Sequence, residues 1–162
     1  SIAFLFGGVS ATEVVLSFVI LLCTAILLGT VGVFFSAVTR RTLSASVLSY
    51  AFALLTIIVL PLGILIVIPV FNGLGPVISG AAEATLYYLI GFFIATNPMA
   101  TLFGTLMLLS DRQVAGLFPV TLTNGSTIML VSPWVVFVIF TVVVALVLVI
   151  IATRRVNRIE DV

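Results

Sequence analysis

The stretch Ser36-Ala-Val-Thr-Arg-Arg-Thr42 decides the fold, because it places two adjacent arginines between two long uncharged runs. Residues 14–39 before the pair, and 42–82 after it, contain no charged side chain. Burying an arginine at the centre of a bilayer costs about 2.5–3.5 kcal/mol on the insertion scale, so the pair belongs in a turn at the membrane surface. Cytoplasmic loops are enriched in arginine and lysine. The sequence therefore predicts that Arg40 and Arg41 join two transmembrane helices on the cytoplasmic side.

The composition indicates an integral membrane protein. Of the 162 residues, 63% are hydrophobic and 7% are charged, whereas soluble domains carry about 25% charged residues. The apolar runs do not alternate with polar residues over about 10 positions, as the strands of a membrane β-barrel do. We therefore predict an all-α fold that forms a single transmembrane domain over residues 1–162. The net charge of +1 gives no reason to expect a nucleic-acid partner.

The first span is predicted over residues 11–38. Ser10 and Glu13 form the S-x-x-E pattern of a capping box, in which each side chain accepts the backbone N–H of the other residue. The apolar run before them is too short to cross a bilayer, which needs about 20 residues. We interpret residues 1–6 as the end of a preceding helix, and the sequence as the C-terminal part of a larger protein.

Two further spans are predicted over residues 42–71 and 133–153. Pro61 should kink the first of these, because proline has no backbone N–H to continue the helix. Ser132-Pro133 is expected to cap the start of the last span, with serine at the N-cap and proline at the first helical position. The residues that follow the last span are expected to form a cytoplasmic tail.

The segment 83–109 is apolar enough to cross the membrane, but Asn97-Pro98 divides it into two half-length pieces. Asn97 is expected to cap the second piece, with Pro98 at its first helical position. We predict that the segment enters the outer leaflet and returns as a re-entrant helical pair. Backbone that is not helical at that depth requires protein or water beside it, so the pair should pack on other helices.

A second arginine cluster supports this topology. Arg154, Arg155 and Arg158 follow the last span and should lie on the same side of the membrane as Arg40-Arg41. An even number of crossings must separate the two clusters. A true extra span at 83–109 is the alternative, and it would place Arg112 or the C-terminus on the unfavoured side.

The stretch 120–129 is the one part of the chain that reads as β-structure. Asn124-Gly125 lies between two β-prone runs, which indicates a hairpin closed by a type I′ turn. We place this small hairpin on the outer face. Glu83 begins the re-entrant pair, and we expect it at the water-facing end as a solvated or capping carboxylate. A substrate or proton role for Glu83 is the alternative, since ionisable residues within membranes are often functional.

The sequence offers no recognisable catalytic chemistry. It contains no histidine, and its five acidic residues form no cluster with the single cysteine. Nucleophile elbows and glycine-rich phosphate loops are also missing. We therefore predict a protein that is not an enzyme, with no catalytic residue, no metal site and no cofactor.

Several motifs resemble the ABC-2 type permeases, the membrane subunits of ATP-driven exporters. The resemblance rests on Phe6-Gly-Gly-Val-Ser10 followed by Glu13, on the run Gly32–Thr42 that ends in Thr-Arg-Arg-Thr, and on 45–50. Asn97-Pro98-Met-Ala and the closing helix with its arginine-rich end are also similar to that family. The resemblance covers most of the chain and is most specific up to Tyr50.

The resemblance implies the C-terminal half of a permease in a bacterial inner membrane. The family's permeases pair with a second permease copy or homologue and with ATP-binding subunits, which would carry all ATP hydrolysis. The nearly apolar spans would then suit a lipid-like or hydrophobic substrate. The alternative is a permease-like accessory or structural subunit of a larger energy-converting or pigment complex, in contact with lipids and other membrane subunits.

Overall fold

The computed structural model describes residues 10–39, 41–74, 80–112 and 114–160. Within them the chain is helical except for one small antiparallel hairpin. The elements in chain order are α1 (Ala11–Val38), α2 (Thr42–Leu54), a π-helical segment (Leu55–Val59), α3 (Leu60–Leu74), α4 (Ala81–Ala95), α5 (Pro98–Arg112), β1 (Leu117–Thr121), β2 (Thr127–Val131) and α6 (Pro133–Glu160). The expected helix end at 1–6 lies outside the described residues.

The predicted capping box at the start of α1 is present. The N–H of Ser10 donates to Oε2 of Glu13 at 2.8 Å, and the N–H of Glu13 donates to Oγ of Ser10 at 3.2 Å. The helix has the predicted bounds, Ala11–Val38. At its other end, the N–H and the hydroxyl of Thr39 both donate to the carbonyl of Phe35, which ends α1 just before the arginine pair.

The second span is more irregular than the sequence indicates. Helix α2 passes through the π-helical segment directly into α3, which continues through Pro69 to Leu74. The predicted end at residue 71 is therefore wrong by a few residues. The part that is long and apolar enough to cross a membrane is Thr42–Gly63. Pro61 disturbs the helix as expected, but the disturbance is a widened turn that precedes the proline.

Helices α4 and α5 form the predicted pair around Asn97-Pro98. They are bent by 115° at a short break, and together they are apolar enough for a broken span or a re-entrant loop. Both contact α6, and α5 also contacts α1 and the π-helical segment. The break is therefore packed against other helices, as non-helical backbone within a membrane requires.

The hairpin pairs Leu117 with Val131 at its base and Thr121 with Thr127 near its loop. The predicted two-residue type I′ turn is wrong. The N–H of Leu122 donates to the carbonyl of Ser126, and the N–H of Gly125 donates to the carbonyl of Leu122. Gly125 therefore follows a β-turn rather than lying at its centre, and its φ of +80° is one that glycine adopts without strain.

Helices α1 and α6 make the most extensive helix contact of the described chain. They run in the same direction because both start near the end of α5: Glu13 lines a groove with Ser110, and the N–H of Ser132 bonds to the carbonyl of Gly116. Ile20 and Cys23 of α1 form a buried cluster with Phe137 of α6, so the first halves of both helices pack together.

The common direction of α1 and α6 defines two ends of the molecule. Arg41, Arg154 and Arg155 follow or end these helices and lie at one end, which we call the arginine end. The hairpin end, marked by Ser10, Ala115 and Ser132, lies opposite.

Helix α6 continues to Glu160, so the arginines after residue 153 extend the helix rather than form an irregular tail. The expected side-chain cap by Ser132 is also wrong. The N–H of Val135 bonds to the backbone carbonyl of Ser132, whereas the buried hydroxyl of Ser132 has no partner among the described residues.

Within the described residues, the helices that are long and apolar enough to cross a bilayer are Ala11–Val38, Thr42–Gly63 and Pro133–Asn157. The bent pair would add a fourth span if it counts as one. Most of their large side chains are exposed on the surface of the chain. A soluble protein rarely exposes apolar surface of this extent. The described part of the chain is therefore mostly helical, with a small two-stranded sheet and with helices of the length and composition that are typical of a membrane protein.

Candidate functional site

The break between α4 and α5 is the most constrained polar site in the described chain. Asn97 lies there with 0% of its surface exposed. Its Oδ1 accepts the N–H of Ala100 at 2.9 Å, which confirms the predicted N-cap with Pro98 as the first residue of α5. Its Nδ2 donates to the backbone carbonyl of Thr56. One amide thus caps α5 and joins the helix break to the second span.

The carbonyl of Thr56 is free for this bond because of the local helix register. In the π-helical segment each carbonyl pairs with the N–H five residues later, as Leu55 does with Leu60. The corresponding partner of Thr56 is Pro61, which has no N–H. The proline and the widened turn together leave one carbonyl for Asn97 to bind. We call this bond the Asn97–Thr56 link.

Backbone groups around the break are paired within the break itself. The N–H of Asn97 donates to the carbonyl of Ile94 at 3.2 Å, and the N–H of Thr101 donates to the carbonyl of Asn97. The hydroxyl of Thr101, also fully buried, donates to the same carbonyl of Ile94 at 3.0 Å. Few polar groups at the break are therefore left to bind water, which suits a position inside a membrane.

Buried hydroxyls continue from the break towards the hairpin end and into α6. Thr105 on α5, Ser132 at the start of α6 and Thr141 within α6 are each almost fully buried. Their hydroxyl oxygens have no hydrogen-bond partner among the described residues. Polar groups of this kind are uncommon inside proteins, where most buried donors and acceptors are paired.

Glu83 lies in the first turn of α4 with 5% of its surface exposed. Its carboxylate accepts the N–H of Thr123 at 3.1 and 3.0 Å and the hydroxyl of Thr123 at 2.9 Å. Glu83 was expected to be a solvated or capping carboxylate, and the solvated role is wrong, because the hairpin folds back over the start of α4 and covers the carboxylate. The N-terminus of a helix also stabilises a negative charge. Glu83 holds the hairpin loop against α4.

Replacing Glu83 with alanine should lower the free energy of unfolding by about 1–3 kcal/mol, because the N–H of Thr123 loses its acceptor in a partly buried place. Thr123→Val is the matched control. It removes only the hydroxyl, leaves the backbone bond intact and should cost less. Thermal unfolding in mild detergent, followed by circular dichroism, measures both. A larger loss for the Thr123 variant would contradict the assigned role of Glu83.

The predicted arginine sites lie apart from the helix break. Arg41, Arg154 and Arg155 are exposed at the arginine end, where they are free to contact lipid phosphates or a partner. Arg40, and the side chain of Arg158, lie outside the part of the chain that the structure describes. Glu83 bonds to the hairpin loop and Asn97 bonds to the second span, so the structure does not bring the two sets of predicted site residues together.

An open groove of about 660 Å³ lies between α1 and α5, and sequence reasoning missed it. Its walls are apolar, with Phe18 and Leu21 on α1 facing Phe103 and Met107 on α5. Glu13 and Ser110 lie towards the hairpin end of the groove. The groove depends on how α5 packs against α1, and no short sequence motif predicts that packing.

No group of three or more Cys, Asp or Glu residues in the described ranges is placed to hold a metal ion. Comparison with known proteins adds no relative, since no protein-family model, curated protein or solved structure matches the chain. A proposal for the function therefore depends on the sequence motifs and on the geometry of the bent pair of helices, α4 and α5.

Proposed function

We propose that the chain is the C-terminal half of a permease subunit of an ABC-2 type exporter. The observation that carries the proposal is the Asn97–Thr56 link. It joins the tip of the helical pair to the point where the second span is already irregular. A π-helical turn followed by proline is a place where a helix changes direction. Movement of the second span would thus be transmitted to the re-entrant pair, as alternating access requires.

The groove between α1 and α5 supports a lipid-like or hydrophobic substrate. Its apolar walls suit an acyl chain, while Glu13 and Ser110 at one end suit a polar headgroup. A path for a small polar solute would need more polar side chains along the spans than this sequence contains. Lipid escapes that objection, because its chains need no hydrogen-bond partners.

Partners follow from the same proposal. An ATP-binding subunit would supply the ATP hydrolysis, for which this chain has no phosphate-binding motif. It would dock at the arginine end, where Arg41, Arg154 and Arg155 are exposed. A second permease copy or homologue would complete the pathway, and the C-terminus would lie in the cytoplasm of a bacterial cell.

A second candidate function is an accessory subunit of a larger membrane complex. The observation in its favour is that the second span, Thr42–Gly63, buries little of its surface within the chain. That surface would be covered by other membrane subunits. In this case the Asn97–Thr56 link would only stabilise the fold, and replacing it would change stability without an ATP-dependent effect.

The test is purification of the full-length protein with its partners in mild detergent, followed by reconstitution into liposomes. ATP-dependent translocation of a fluorescent phosphatidylethanolamine analogue is measured for the wild type and for Asn97→Ala. Loss of a bond worth about 1.4 kcal/mol changes an equilibrium constant about tenfold. We therefore expect the translocation rate of Asn97→Ala to fall about tenfold, because fewer molecules keep the helical pair joined to the second span. Thr85→Ala, which removes an exposed hydroxyl of α4 away from the arginine end, should leave translocation unchanged.

Two results would contradict the proposal. One is an intact preparation that contains no ATP-binding subunit. The other is translocation by the Asn97→Ala variant at the wild-type rate when equal amounts of folded protein are compared. Helices packed against unrelated membrane subunits in that preparation would favour the accessory role instead.

A further inference from the structure

One face of the β1–β2 hairpin is exposed, and its polarity changes along the strands. Alternate residues of a strand point to the same face, and the register places three cross-strand pairs there. They are Leu117 with Val131, Pro119 with Met129, and Thr121 with Thr127. Leu117 and Met129 expose 62% and 60% of their surface. The face is thus apolar at the base of the hairpin and hydroxylated near its loop.

Contacts with α4 show where the polar and the apolar end of this hairpin face lie along the helix. The loop of the hairpin lies beside the start of α4, where Thr123 bonds to Glu83 and a Cβ placed on Gly80 would lie 3.7 Å from Nδ2 of Asn124. The hydroxyl of Tyr88, halfway along α4, donates to the carbonyl of Met129 at 3.2 Å. The polar loop therefore lies at the outer end of α4, and the apolar base lies deeper along it.

Two aromatic residues mark the level of the base. Besides Tyr88, the indole N–H of Trp134 donates to the carbonyl of Ala115 at 2.6 Å, just before β1. Tyrosine and tryptophan are enriched where a membrane meets water. Phe92 is exposed one turn further along α4, so the apolar face continues into the apolar surface of the helices. Residues 113–153 contain no charged side chain.

We propose that this hairpin face is a lipid-contact surface in the membrane interface at the hairpin end of the molecule. Leu117, Met129 and Val131 lie among the ends of the acyl chains nearest the headgroups, and Thr121 and Thr127 lie among the headgroups. The occupant is lipid because the face changes from apolar to hydroxylated along the hairpin, as a membrane changes from acyl chains to polar headgroups. The face itself carries no charge. The proposal requires only the membrane location of the chain and is independent of export.

Spin labelling tests the proposal in the full-length protein, in liposomes of phosphatidylcholine and phosphatidylglycerol. Nitroxides are attached to Met129→Cys, to Val131→Cys and, as a matched control on the same strand and face, to Thr127→Cys. The buried Cys23 gives the background from the unsubstituted chain. The quantity measured for each label is the ratio of its collision rate with oxygen to its collision rate with a water-soluble nickel chelate. We expect this ratio to be several-fold higher for the labels at 129 and 131 than for the label at 127.

Either of two outcomes would overturn the proposal. Equal access of the nickel chelate to labels at 129 and 127 would place the whole face in water. Low access of both reagents at 129 and 131 would show that protein, such as a second copy of the chain, covers the face. Circular dichroism of each labelled variant confirms that the comparison is made between folded proteins.

Trp134 provides a second measurement, because it is the only tryptophan among these 162 residues and its fluorescence is the part that Trp134→Phe removes. Lipids brominated near the headgroup should quench its fluorescence more strongly than lipids brominated near the chain ends. Stronger quenching from the chain ends would place the base of the hairpin too deep for an interfacial surface. Quenching by aqueous iodide alone would place it in water, and both results contradict the proposal.

Discussion

Replacing Asn97 with alanine is expected to destabilise the protein by about 2–4 kcal/mol. Loss of the cap on α5 contributes about 1 kcal/mol, and a buried carbonyl left without its donor at Thr56 contributes about 1–3 kcal/mol. Both effects arise because one fully buried side chain serves two elements. Unfolding of the purified protein in mixed micelles, with increasing denaturing detergent, measures the change.

Asn97→Asp separates the two contributions. A carboxylate still accepts the N–H of Ala100, but it cannot donate to the carbonyl of Thr56. The cap should survive while the Asn97–Thr56 link is lost, and the buried charge adds a further cost. Asn157→Ala should change stability by less than about 0.5 kcal/mol, as exposed substitutions usually do. If the alanine variants at 97 and 157 were equally stable, the buried amide would not have the role assigned to it.

Replacing Phe137 with alanine should cost about 3 kcal/mol. Its side chain has 0% exposure and packs on Ile20 and Cys23, where α1 meets α6. Removal of a buried aromatic ring typically costs about 3–5 kcal/mol, partly from the cavity that remains. We expect the lower end of this range, because lipid is as apolar as the protein interior and transfer from water contributes less.

Ile139→Ala is the matched control for Phe137. Ile139 lies two residues further along α6 and exposes 60% of its surface, so its loss opens no cavity. The same detergent-unfolding measurement should show a change of less than about 0.5 kcal/mol. Comparable losses at 137 and 139 would mean that the α1–α6 contact is not the core of the protein.

Helix positions were predictable where short-range patterns determine them. The bounds of α1 follow from the capping box at Ser10 and Glu13, and the break at Asn97-Pro98 follows from cap chemistry. The extension of α6 beyond Arg154 was missed, because charged residues end an apolar run without ending a helix. The hairpin and its loop at Asn124-Gly125 were predicted correctly, but the type of turn was not, since glycine can end a turn as well as lie at its centre.

The candidate site was only half visible in the sequence. Asn97 was identified as a cap, but its bond to Thr56 depends on the widened turn before Pro61. Glu83 was expected in water, and its burial depends on the hairpin folding back onto α4. The groove between α1 and α5 requires the re-entrant pair to dock on α1. Each feature needs the packing of elements that no local pattern describes.

The sequence by itself determined the apolar character, the candidate spans and the break between α4 and α5, because hydrophobic length and cap chemistry act within one or two helical turns. Only the tertiary structure decided what the two polar side chains of that pair bind. The partners of Asn97 and Glu83 lie 41 and 40 residues away along the chain. Bonds over such separations depend on how the helices pack, since a buried amide or carboxylate takes whichever partner the packing places beside it.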